Sequence, residues 1–216
     1  MLRTKVKASA ITNLTDARYF AAWEVEWLGF TFASESENFI DPRQVHAIKE
    51  WVDGPLIVGE FNLATAAEIT ELVNDLQLDA IQAGVFTELN TLIELNNLVP
   101  VIKEWIIEPN SSPEELLATF SDFAPYTQYF LLNFAKNGIT WPDILAGKCL
   151  SPAWLQEVCA NYPVLLQMDG SAQMIETLLR DLQPAGISVQ GGEEEKVGFK
   201  SFDELDALFE TLETLD

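Results

Sequence analysis

The residues able to do chemistry are few and scattered. His46 is the single histidine in 216 residues. It sits inside DPRQVHAIKEWV (41–52), an amphipathic stretch that reads as an outer helix and not as a strand end. A lone imidazole there packs or meets solvent. Cys149 and Cys159 lie in one segment with no CxxC spacing and no nearby activating base, so inert thiols and no metal site are expected. Lys103 stands near the start of the apolar run PVIKEWII, where it is either a Schiff-base amine or, as expected here, a structural ion pair with a neighbouring carboxylate. Ser9 and Asn133 each stand at the end of an apolar run, KVKAS and TQYFLLNF. As strand ends they would share one face, as a polar pair bonded to each other or to water, or as a new site. Glu35, Glu37, Glu60, Asp169 and Glu193, Glu194 and Glu195 follow strand-like runs and should ring that same face. Such a ring attracts a cation, an amine or a basic partner. The expectation is diffuse surface charge without an ordered metal, which would need several oxygens converging on one point.

The charge balance excludes some partners. Lys plus Arg number 12 and Asp plus Glu 34, a formal net charge of −22. A surface this negative repels nucleic acid and anionic membranes. The opening MLRTKVKASAITNL has no apolar signal-peptide core, and no apolar run is long enough to span a bilayer. With two isolated cysteines, a reduced cytoplasmic protein is expected. No cofactor is implied, and the partner, a small molecule or a protein, is left open.

The elements that position these residues follow from hydrophobic patterning. Eight apolar runs read as strands: 5–9, 26–32, 55–61, 78–82, 100–107, 127–134, 163–168 and 186–190. Several are continuous, as parallel strands buried on both faces should be. Amphipathic stretches alternate with them at 13–25, 41–52, 65–76, 85–98, 112–120, 151–162, 171–182 and 201–215. Asp41–Pro42 is a cap followed by proline, and Thr65 with Glu68 is a capping box. The stretch 85–98 is the weakest helix, since its asparagines are poor helix formers. Eight β-then-α units without a linker predict one closed (β/α)8 TIM barrel spanning residues 1–216. The tryptophans Trp23, Trp27 and Trp51 are expected to pack helices on strands.

KVKASAITNLTDA followed by LGFTFASESENFIDP resembles the opening of phosphoribosylanthranilate isomerases, which read KVKICGITN-x-x-DA and then LGFIFAPKSPRYVSP. The likeness continues through PLIVGEF, LDAIQ, PVIKEWI, FLLN and PVLL to GISVQGGEEEKVGFKSF. Gln82, Lys103, Gly186, Gly192 and Lys200 are among the matching framework positions. The resemblance implies a TIM barrel and an Amadori rearrangement, in which a phosphorylated aminoaldose becomes an aminoketose. That reaction needs an acid for the ring oxygen and a base for the C2 proton.

At the positions that carry this chemistry in the family, the chain departs from the pattern. The base position, a Cys ending the first strand, is Ser9, and the acid position, an Asp ending the sixth, is Asn133. The ligand-holding positions implied by the resemblance are Asn38 in place of an Arg, Gln82, Asp169 after Met168 where glycines approach phosphate, Ser188 in place of an Asp, and Gly191 with Gly192. Asp169 and the Glu193–Glu195 run oppose an anion there. The expectation is a barrel that has lost the isomerase activity of tryptophan biosynthesis and acts as a non-catalytic binding or regulatory protein. The alternative is an enzyme working by an altered mechanism or on a new small molecule. A retained polar pocket would favour the enzyme, and a mouth filled by Met168 and Phe134 the binding protein.

Overall fold

The computed structural model describes residues 1–191, 194–196, 199–200 and 202–214. Eight parallel strands close into a barrel in sequence order. They are β1 (Lys5–Ser9), β2 (Trp27–Thr31), β3 (Leu56–Phe61), β4 (Ala80–Ala83), β5 (Val101–Ile106), β6 (Tyr129–Asn133), β7 (Val164–Gln167) and β8 (Gly186–Gln190). Closure pairs β1 with β8, Lys5 opposite Gly186 and Ser9 opposite Gln190. The helices are α1 (Leu14–Ala22), α2 (Pro42–Lys49), α3 (Ala66–Leu76), α4 (Leu89–Asn96), α5 (Pro113–Phe123), α6 (Trp141–Leu145), α7 (Pro152–Asn161), α8 (Ala172–Leu182) and α9 (Asp203–Leu212). This is the (β/α)8 architecture that the alternating pattern predicts.

The helix starts follow their capping residues. Asn13 accepts from the Asp16 amide at 2.9 Å, and Asp41 from the Arg43 amide at 2.8 Å ahead of Pro42. Thr65 and Glu68 form the reciprocal capping box. Three features were not expected. The stretch 85–98 is helical only over Leu89–Asn96, because Glu88 supplies no side-chain cap. The short α6 follows β6, and an antiparallel pair of β9 (Glu194–Lys196) and β10 (Phe199–Lys200) follows β8. Among the described residues, no helix is long and apolar enough to cross a membrane.

The period of two along each strand sorts the barrel interior into layers. Trp27, Val58, Ala80, Ile102, Leu131 and Leu165 form one apolar cluster, with Tyr129 against it. Two residues further along the same strands come Gly29, Glu60, Gln82, Glu104, Asn133 and Gln167. Inward faces thus begin apolar and end polar, at the end where barrel sites form. Trp23, at the end of α1, stacks on Phe209 of α9, a contact between helices and not of a helix on a strand. Trp27 belongs to the interior cluster, and Trp51 is exposed beyond α2.

Candidate functional site at the barrel mouth

A cavity of about 560 Å³ opens at the C-terminal ends of the strands. Its walls include Ser9, Glu60, Gln82, Glu104, Asn133 and Lys136, with Asn38, Glu35 and Glu37 on the loop after β2. Its size is that of an ordinary small-molecule site. Met168 and Phe134 do not fill it, because both side chains pack outward into the cluster between barrel and helices.

Two polar networks define the floor. In the first, Lys7 and Glu60 form a buried ion pair. The Lys7 ammonium also donates to Ser9 Oγ at 2.7 Å, and Ser9 Oγ lies 2.8 Å from Ser188 Oγ. The other Glu60 oxygen accepts from Thr31 Oγ1 at 2.7 Å and from the Ala10 amide at 3.2 Å. These bonds satisfy both charges, as burial demands. Gly29 makes the pair possible: a Cβ there would lie 2.1 Å from Glu60 Oε1 and 2.7 Å from the Lys7 ammonium. Ala10 stands where the resembling motif has glycine and holds φ at 56°, a left-handed conformation costing an L-residue about 1 kcal/mol.

The second network centres on Glu104. Asn133 Nδ2 donates to its Oε1 at 2.8 Å and Gln82 Nε2 to its Oε2 at 3.1 Å. Asn133 Oδ1 accepts from the Lys136 amide at 3.0 Å. Glu104 has no ion-pair partner among the described residues. Gln82 Oε1 is buried and accepts no hydrogen bond, a deficit worth about 1–3 kcal/mol in a buried amide.

These contacts place the expected residues and correct several readings. Ser9 and Asn133 share the mouth but do not bond to each other; each is held by its own network. Glu60 is not part of a loose acidic ring, since it lies within β3 and pairs with Lys7. Lys103 makes no ion pair among the described residues. Its ammonium donates to the Gly84 carbonyl and lies 4.5 Å from the centre of the Trp105 ring, outside the barrel wall. Burial lowers its pKa to about 8. His46 is on the surface, 3.5 Å from Asp75. Burial pushes the Cys159 thiol up to about 12 and the Cys149 thiol upward.

Asp169 and Gly191 line a separate cavity of about 820 Å³ bounded by β7, β8, α8 and α9. Ser188 belongs to that wall and to the Ser9 contact. Gly192 and Glu193 lie outside the described residues, as do the side chains of Glu194 and Glu195. Motif reasoning passed over Lys7 and Glu104. Their signal was a charge at an inward position of an apolar strand, two residues from Ser9 and from Ile102.

The chemistry follows from the partners. Ser9 Oγ is flanked by an ammonium and a second hydroxyl, so no base is placed to take its proton. Asn133 uses its amide nitrogen and oxygen and has no acidic proton to deliver. Acceptors dominate the mouth.

No family model matches the chain. It is 27% identical over 206 residues to the N-(5'-phosphoribosyl)anthranilate isomerase of Maridesulfovibrio salexigens, covering 94% of this chain and 96% of that protein. It is 25% identical over 211 residues to the enzyme of the same name from Nostoc punctiforme, covering 96% and 98%. The crystal structure of phosphoribosyl anthranilate isomerase from Thermus thermophilus matches with a TM-score of 0.77 at 28% identity, covering 97% of this chain and 98% of that one. Over nearly its whole length the chain is similar in sequence to phosphoribosylanthranilate isomerases, and it closes into the same barrel.

Proposed function

We propose that this chain is a family barrel that does not catalyse the Amadori rearrangement and instead binds a polar small molecule in its acidic mouth. The observation that carries this reading is the state of the two key positions. Ser9 is engaged by Lys7 and Ser188, and Asn133 by Glu104 and the Lys136 amide. Neither position offers the base or the acid that the rearrangement requires. Asp169, exposed after β7, also opposes a phosphate at that end of the barrel.

A second reading is supported by the open cavity and by Glu104. A carboxylate on β5, one strand from the family's acid position, is a candidate acid or base for an altered reaction on another substrate. Complementation separates the readings. The gene should fail to restore tryptophan-independent growth to an isomerase-deficient strain at ordinary expression, and clear rescue would overturn the proposed loss.

A further inference from the structure

We propose that the groove between the loop after β2 and helix α3 docks a basic amphipathic helix carried by a partner protein. The groove adjoins the mouth, sharing Glu35 and Phe61 with its wall, but the inference does not depend on what the mouth holds.

The floor of the groove is apolar. Phe32 and Phe61 stack there with ring centroids 5.5 Å apart, and Leu72 of α3 completes the lining of a cavity of about 670 Å³. At its edge Leu63, on the loop after β3, is 67% exposed. A single exposed leucine needs no partner. Phe39 and Phe86, on the loops after β2 and β4, are exposed as well. Three successive loops at one end of the barrel thus turn large apolar side chains outward. The volume admits a few side chains of a partner and not a folded domain.

The charges around that floor select its occupant. Glu35, Glu68, Glu71 and Asp75 line the groove, and no lysine or arginine does among the described residues. Glu68, Glu71 and Asp75 recur at intervals of three and four, so with Leu72 they share one face of α3 and span about 10 Å. A neighbouring helix matches that pattern with Lys or Arg at the same spacing and an apolar residue between them for the floor. Such a helix meets complementary charge along the whole contact. A second copy of this chain would instead bring its own net charge of −22 against these carboxylates.

Fluorescence anisotropy of a labelled peptide tests this with the full chain. The probe is an amphipathic helix of roughly 14 residues, with Lys spaced three and four apart and Leu on the adjoining positions. Two controls replace every Leu by Ser or every Lys by Glu. The probe should bind, and both controls should bind at least about tenfold more weakly. Glu71→Lys with Asp75→Lys should lower probe affinity about tenfold or more, and Leu63→Asp about fivefold or more. Glu157→Lys with Glu210→Lys makes the same change in net charge on α7 and α9 and should change affinity less than about threefold. These positions are all exposed, and a thermal melt confirms that each variant is folded. Equal losses from the two charge-reversed pairs overturn the inference, because the overall negative field then accounts for binding. So do equal affinities of the probe and its Ser control, or no binding at millimolar peptide. Self-association in sedimentation that Leu63→Asp abolishes also overturns it, since the occupant is then a second copy. Isomerase complementation bears only on the proposed loss of catalysis and leaves this groove standing whichever way it falls.

Discussion

Asn133 Nδ2 lies 2.8 Å from Glu104 Oε1, so the side chain at the family's acid position is a neutral donor to a carboxylate on the adjacent strand. The amide donates to that carboxylate in a site less than a tenth exposed at Asn133. Restoring the acid would set two carboxyls side by side, and like charges at that distance raise the pKa of one of them. Asn133→Asp should therefore retain a proton in the folded state that the unfolded chain has released. The folded state then binds more protons, so the variant loses stability relative to wild type as pH rises above the ordinary carboxylate range. Denaturant unfolding from pH 4 to 8 measures this, and adding Glu104→Gln should abolish the pH-dependent difference.

Lys7 and Glu60 form the buried pair at the floor, so removing one partner leaves the other charge uncompensated. Glu60→Gln should cost about 3–5 kcal/mol. For a chain of this length that corresponds to a melting temperature lower by roughly 10 °C. Gly29→Ala should also destabilise, since its methyl would enter the space held by that pair. A surface variant such as Glu50→Gln should stay within about 0.5 kcal/mol of wild type.

Lys103 has a folded pKa lowered to about 8 from 10.5 by burial. Between those values the unfolded state binds more protons than the folded state, so this residue makes stability rise with pH across the window. Wild type should gain stability relative to Lys103→Met as pH increases from about 8 toward 10 in denaturant unfolding. A flat difference would show that the ammonium is not desolvated outside the barrel wall.

Reinstating both family residues should not recreate the enzyme. In Ser9→Cys/Asn133→Asp, the base and acid return, but Asn38 still replaces the arginine and Asp169 still opposes phosphate. Without positioning, chemistry falls well short of its oriented rate, and turnover should remain about 100-fold or more below ordinary enzymes. Full turnover in the double variant would mean that the substrate clamps are intact.

The barrel was legible because its signals are local and redundant. Strands 5–9 and 186–190 have their expected bounds, and caps at Asp41 and Thr65 mark helix starts by the residue types their amides need. The site was half legible. Ser9 and Asn133 could be placed at the mouth by alignment to a motif, but what holds them could not. Lys7, Glu60 and Glu104 meet them only when strands distant in sequence are brought side by side, and Glu60 differs in character from a rim acid because Gly29 on the neighbouring strand leaves it room. Lys103 points away from the site because inward and outward positions alternate, a parity fixed only once the strand register is known.

The most direct measurement is steady-state turnover of phosphoribosylanthranilate by the purified full-length chain. The arrangement at Ser9 and Asn133 predicts no rate above the uncatalysed background. A turnover number in the usual enzyme range of about 1–1,000 s⁻¹, abolished by Ser9→Ala or by Glu104→Gln, would contradict the account.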